Sequence, residues 1–123
     1  MATTLGQQRA QFCLEQLKQL DNALRDDFKP FTAGLPAMIL QNGFGQTLAF
    51  LQSKGKKKHL TGFRIIVSWL VNRGLLAPGS PIEQLQSISN MDQADYLRAQ
   101  QETLAMLEWL KRYANAALFM EEQ

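Results

Sequence analysis

A chain of 123 residues, 46% hydrophobic and 20% charged, has the size and composition of one globular domain, residues 1–123, with a real core. No apolar run approaches the ~18 residues a membrane span needs. Met1 to Gln8 lacks the basic and apolar regions of a secretory signal, so a cytoplasmic protein without membrane contact is expected. The net charge of +2 says little by itself; its distribution says more.

The first helix is predicted from about Thr4 to Phe28. Ala10, Cys13, Leu14, Leu17, Leu20, Leu24 and Phe28 follow in steps that put one apolar stripe on a helix. Cys13 is the single cysteine, which excludes an internal disulfide and reads as a small core residue. Pro30 is expected to end this helix, because proline has no amide hydrogen and disfavours helical geometry just before it.

A second helix is predicted to open at Leu35-Pro36, where proline suits a first turn. It runs through Met38, Ile39, Leu40, Phe44, Leu48, Ala49 and Leu51 to about Ser53. Asn42-Gly43 and Gly45 interrupt it. Two short helices are one reading; the spacing stays in phase across the glycines and favours one helix, straight or kinked.

Lys54-Gly55-Lys56-Lys57-Lys58-His59 reads as a polar connection, with His59 a solvated loop histidine whose protonation the lysines disfavour. A third helix follows from about Leu60 to Asn72, with Phe63, Ile66, Val67, Leu70 and Val71 inward and Arg64 outward. Gly74 is its stop. After a turn from Leu75 to Gly79, Ser80 and Glu83 have the spacing of a capping box, opening a short helix to about Ile88. Asp92 caps the last helix, predicted from Gln93 to Phe119, with Leu97, Leu104, Leu107, Leu110, Tyr113, Ala114 and Ala117 inward. The expected fold is all-α, a single compact bundle of about five helices.

Catalytic chemistry finds no foothold in this pattern. One histidine and one cysteine stand far apart, without CxxC or HExxH spacing, so no metal centre is expected. The carboxylate pairs Asp26-Asp27, Asp92/Asp95 and Glu121-Glu122 read as a helix end, a cap with its first turn, and a tail. Gly43-Phe44-Gly45-Gln46 lacks the preceding strand of a phosphate-binding loop. The chain is therefore read as no enzyme, with no catalytic residue, cofactor or small-molecule substrate. Trp69, Trp109, Phe50, Phe63 and Tyr113 offer stacking surfaces for bases, but at helical spacing they are expected in the core.

Charge is unevenly spread. Between Phe28 and Ile82 there is no acidic residue, while Lys29, Lys54, Lys56, Lys57, Lys58, Arg64 and Arg73 are all basic. A block of one sign in a nearly neutral chain is what a phosphate-facing surface requires, provided the folded chain gathers it on one solvent-facing side.

Two segments carry a resemblance. Leu35 to Lys54 reads LPAMILQNGFGQTLAFLQSK, and Tyr96 to Ala114 reads YLRAQQETLAMLEWLKRYA. Both are similar to signature stretches of the small helical subunit of type III-B CRISPR RNA-targeting complexes, the fifth subunit of the Cmr module. The resemblance covers about a third of the chain and implies an all-helical, non-catalytic subunit present in more than one copy. Its implied partners are other Cmr subunits, further copies of itself, and the backbones of crRNA and target RNA, whose channel it lines. It carries over Lys54, Lys111 and Arg112 as basic positions; Lys56, Lys57, Lys58, Arg64 and Arg73 join them from the charge asymmetry alone. A subunit that serves arbitrary guides contacts phosphate and sugar, not bases. The alternative is a helical protein–protein adaptor without nucleic-acid contact, and a helix-turn-helix DNA binder is weaker still.

Overall fold

The structure, a computed structural model, describes residues 2–116. Among them are six α-helices and one 3-10 turn: α1 (Leu5–Lys18), the turn Asn22–Leu24, α2 (Arg25–Asn42), α3 (Phe44–Lys54), α4 (Lys57–Asn72), α5 (Pro81–Ser89) and α6 (Gln93–Ala114). The described residues hold no strand, as the all-α expectation required.

The first helix stops ten residues early. α1 opens on a capping box, in which the Gln7 amide donates to Thr4 Oγ1 at 3.1 Å and the Thr4 amide to Gln7 Oε1 at 2.8 Å. It ends at Lys18, Asp21 caps the 3-10 turn, and α2 begins at Arg25. Pro30 therefore ends nothing: it lies inside α2, as does Pro36. Asp26 and Asp27 fill the first turn of α2, where a carboxylate favours the positive end of the helix dipole. An interior proline costs ~3 kcal/mol. Here the core-facing side of α2 buries Phe28, Thr32, Leu35 and Ile39 at helical spacing, and that burial carries the helix past both prolines.

Gly43 decides the next junction against a continuous helix. Its φ of 91° and ψ of 156° suit glycine and no other common residue, and it ends α2 and opens α3 at once. The Thr47 hydroxyl donates to the Gly43 carbonyl at 2.8 Å and supports the corner. α4 starts at Lys57, so Lys57, Lys58 and His59 belong to its first turn rather than to a loop. It ends at Asn72, and Gly74, with a φ of 73°, is the stop as expected: the Leu75 amide reaches the Leu70 carbonyl at 2.9 Å and the Gly74 amide reaches the Val71 carbonyl at 3.0 Å, a Schellman closure.

The two predicted caps of the last helices hold. Ser80 and Glu83 form the reciprocal box, and the Asp95 amide donates to Asp92 Oδ1 at 2.8 Å. α6 ends at Ala114 with Asn115 as its cap, short of Phe119; Ala117 and Phe119 lie outside the described residues. Leu97, expected inward, is 44% exposed. The buried series on α6 runs Ala99, Thr103, Met106, Leu107, Leu110 and Ala114, with Tyr96 instead of Leu97 turned toward it.

These faces close around one core, in which Trp69, Phe28, Phe44, Leu17 and Leu35 are the largest fully covered side chains. Cys13 lies in it, completely buried, and burial pushes its thiol up to about 12. Arg9 on α1 meets Glu102 on α6, and four residues on, Cys13 Sγ meets the Met106 carbonyl at 3.5 Å, so α1 and α6 run parallel. Gln8 lies beside Arg73 and Gln16 beside Arg64, so α1 and α4 run antiparallel.

Candidate nucleic-acid interface

The short corner between α3 and α4 concentrates charge. Lys54 is the last residue of α3, Lys56 caps α4, and Lys57 and Lys58 begin it. Lys54, Lys56 and Lys57 are exposed and Lys58 is half-buried. Lys57 Nζ pairs with Asp21 at 2.7 Å, which lowers the Asp21 pKa, with the Ala23 amide adding to the effect. Lys54, Lys56 and Lys58 have no carboxylate within ion-pair distance among the described residues. The Lys54 ammonium sits 5.7 Å from the Phe50 ring centre.

His59 is not solvated. It is 8% exposed, with the Phe31 ring of α2 5.2 Å away and the Phe50 ring of α3 5.9 Å away, both edge-on. Helix α4 begins three residues earlier than expected, which turns this position into the bundle. Burial, then the positive charges of Lys58, Lys54 and Lys56, lower its pKa from 6.5, and Nδ1 has no hydrogen-bond partner among the described residues.

Arg64 and Arg73 lie along the α1–α4 seam, the same seam that Lys57 and Asp21 close. Arg64 Nη1 donates to Gln16 Oε1 at 3.1 Å, and Arg73 Nη1 to Gln8 Oε1 at 3.4 Å. Arg73 also lies 5.9 Å from the Trp69 ring centre. Both side chains are exposed, and their hydrogen-bond partners are neutral amides; the charge of Arg73 also helps to hold the Glu102 pKa down. Glutamine spacing on the polar side of α1 was the one sequence signal for this seam; by itself it names no partner.

Lys111 and Arg112 occupy the last turn of α6, where cations favour the helix dipole. Because α6 runs parallel to α1 and α1 antiparallel to α4, this turn sits at the same end of the bundle as the lysine corner. Lys111 pairs with Glu108 at 3.3 Å; Arg112 is exposed. The fold thus brings Lys54 to Lys58, Lys111 and Arg112 to one end, strings Arg64 along the seam, and leaves Arg73 at the opposite end.

The aromatic side chains mostly serve the core. Trp69 and Phe63 are buried, Trp109 and Tyr113 are half-buried against each other with centres 5.7 Å apart, and Phe50 stays partly exposed beside Lys54. Among the described residues no group of three His, Cys, Asp or Glu side chains converges as a metal site, and no helix is long and apolar enough to cross a membrane.

A small helical bundle with a cationic corner is the class of protein that these elements define. The family model described as CRISPR-associated protein (Cas_Cmr5) matches residues 5–117, and the chain belongs to this family. It is 32% identical over 119 residues to the CRISPR system Cmr subunit Cmr5 of Thermotoga maritima, covering 97% of this chain and 88% of that one. It is 31% identical over 94 residues to the subunit of the same name from Thermus thermophilus, covering 76% and 77%. The X-ray crystal structure of a CRISPR-associated Cmr5 family protein, also from Thermus thermophilus, superposes with a TM-score of 0.76 at 27% identity, over 92% of this chain and 96% of that one.

Proposed function

We propose that the chain is a non-catalytic structural subunit of a type III-B CRISPR RNA-targeting ribonucleoprotein, active in antiviral defence in the cytoplasm. It lines the channel where guide and target RNA pair and holds RNA by its backbone without reading sequence. Its partners are the other Cmr subunits, further copies of itself, and the sugar–phosphate chains of crRNA and target. The observation that carries this reading is the set Lys54, Lys56 and Lys58, without a carboxylate at ion-pair distance among the described residues, on one corner with Lys57, Lys111 and Arg112 at the same end. Ammonium groups on flexible stems are adequate point charges for phosphate, and the forked guanidiniums of Arg64 and Arg73 extend the cationic track along α4. The names of both bacterial relatives support membership of a Cmr complex.

The test is binding of single-stranded RNA of two unrelated sequences across a salt series. Both sequences bind alike, and affinity falls steeply with salt. Replacing Lys54, Lys56 and Lys58 by glutamine lowers the salt slope by about two units, at ~0.7 per phosphate contact. Sequence-dependent binding that survives high salt is the result against it. RNA affinity unchanged by the triple substitution would favour the protein–protein adaptor instead.

A further inference from the structure

Helices α3, α4 and α5 border an open groove of about 490 Å³. Leu60, Phe63 and Val67 recur at steps of three and four on one side of α4 and give it an apolar floor, to which α5 adds Pro81. Its polar lining comes from all three helices: Gln52 of α3, Ser68 of α4 and Gln84 of α5. Among the described residues Arg64 is the one charged side chain that lines it, and no carboxylate does. Glu83, close by in sequence, is taken by the Ser80 amide at 2.9 Å.

Gln84 is the unusual member. It is only 7% exposed, yet its side chain makes no hydrogen bond among the described residues, and neither do those of Gln52 and Ser68. The Gln84 amide is not sealed in apolar packing either, so the groove is where it finds solvent or a ligand. A largely covered amide without a partner costs stability, and an apolar residue of the same size would avoid that cost. The fold alone gains nothing from glutamine here; a molecule in the groove with donors and acceptors does.

An apolar floor, two amides and a hydroxyl without partners, and a guanidinium with no acid beside it select a ligand. An unstacked nucleotide has the matching parts: an apolar ring face, an edge of donors and acceptors, and a phosphate. A purely apolar molecule would strip water from the three polar groups without return, and a cation would meet only Arg64. Position points the same way. Gln52 stands two residues before Lys54 at the end of α3, and Leu60 three residues after Lys57 on α4. From Lys56 to Arg64 is roughly 12 Å along the helix, so a strand held at the lysine corner by its phosphates passes the groove.

We propose that the α3–α4–α5 groove is a pocket for one unstacked nucleotide of a bound RNA strand, its base on the Phe63 and Val67 floor and its edge facing Gln84 and Gln52. This rests on the reading of the lysine corner as an RNA site. A side-chain amide carries both donors and an acceptor and so serves any base. The pocket takes a base without identifying it.

The experiment measures binding of the full chain to a single-stranded RNA of about 12 nucleotides and to an abasic strand of the same length, which keeps ribose and phosphate and lacks every base. Wild type binds the normal strand about five- to tenfold more tightly than the abasic one. Gln84→Leu, which keeps the position buried, narrows that difference; Ser68→Phe, which fills the groove from a half-buried position, abolishes it. Both variants keep the helical circular dichroism of wild type and its affinity for the abasic strand. Equal wild-type affinity for the two strands overturns the inference and leaves the lysine corner standing. A difference that survives both substitutions also overturns it, placing the base elsewhere; if those variants then fail to enter the reconstituted complex, the groove holds a protein segment instead. Absence of wild-type binding to either strand sinks the underlying reading, and this inference with it.

Discussion

The indole nitrogen of Trp69 donates to Glu102 Oε1 at 2.9 Å, and the same carboxylate takes both Nε and Nη2 of Arg9, at 2.7 and 2.9 Å. Three helices, α1, α4 and α6, meet at this one side chain, whose exposure is only 12%. Glu102→Ala leaves the Trp69 N–H and a partly covered guanidinium unpartnered. The expected loss is about 2–3 kcal/mol in urea denaturation. A loss under about 0.5 kcal/mol, the scale of an ordinary surface change, would show that the junction contributes nothing special.

The same carboxylate sets a pH dependence. The Arg9 hydrogen bonds, helped by Trp69, hold Glu102 below its ordinary pKa against the opposing effect of burial. The unfolded chain therefore binds this proton more readily. The Glu102 contribution to stability is full above the unfolded value of about 4.3 and is lost as pH falls through it toward the lower folded value. The stability difference between wild type and Glu102→Gln should thus be widest near neutrality and shrink as pH drops below about 4. A difference that stays constant on acidification contradicts this assignment.

His59 works in the opposite charge sense. Burial first, then Lys58, Lys54 and Lys56, place its folded pKa below 6.5. Stability is full above about 6.5 and declines as pH falls below that value, because the unfolded chain takes up the proton first. His59→Phe removes this decline. As the only histidine in the chain, its imidazole signals in proton NMR read the pKa directly. Saturating single-stranded RNA should raise that pKa by adding negative charge beside the three lysines; an unmoved pKa would locate the RNA elsewhere.

Tyr96 joins the two segments on which the family resemblance rests. Its hydroxyl accepts the Gly45 amide at 2.7 Å, and its ring meets Phe44 with centres 5.7 Å apart. Tyr96→Phe keeps the ring contact and removes the acceptor, at an expected cost of about 1 kcal/mol. Hydrogen exchange at the Gly45 amide should accelerate while the rest of α3 is unchanged. Unaltered exchange there would show that water replaces the hydroxyl without loss.

The amino-acid order alone determined what is decided within a few residues. The Ser80–Glu83 box, the Asp92 cap and the Gly74 stop are contacts between near neighbours, so residue type and spacing suffice. The all-α class and the burial of Cys13, Trp69 and Phe63 likewise follow from apolar periodicity. Tertiary packing decided the rest. Helix α2 continues through Pro30 and Pro36 because Phe28, Thr32, Leu35 and Ile39 find cover in the core, a gain that local propensity does not contain. Residue type marked Lys57, Arg64 and Arg73 as basic, but only the antiparallel contact of α1 with α4 gave them Asp21, Gln16 and Gln8. His59 sits in a lysine run that reads as solvent, yet the early start of α4 turns it between Phe31 and Phe50. Partners distant in the chain are chosen by how helices pack, and packing is a property of the whole bundle.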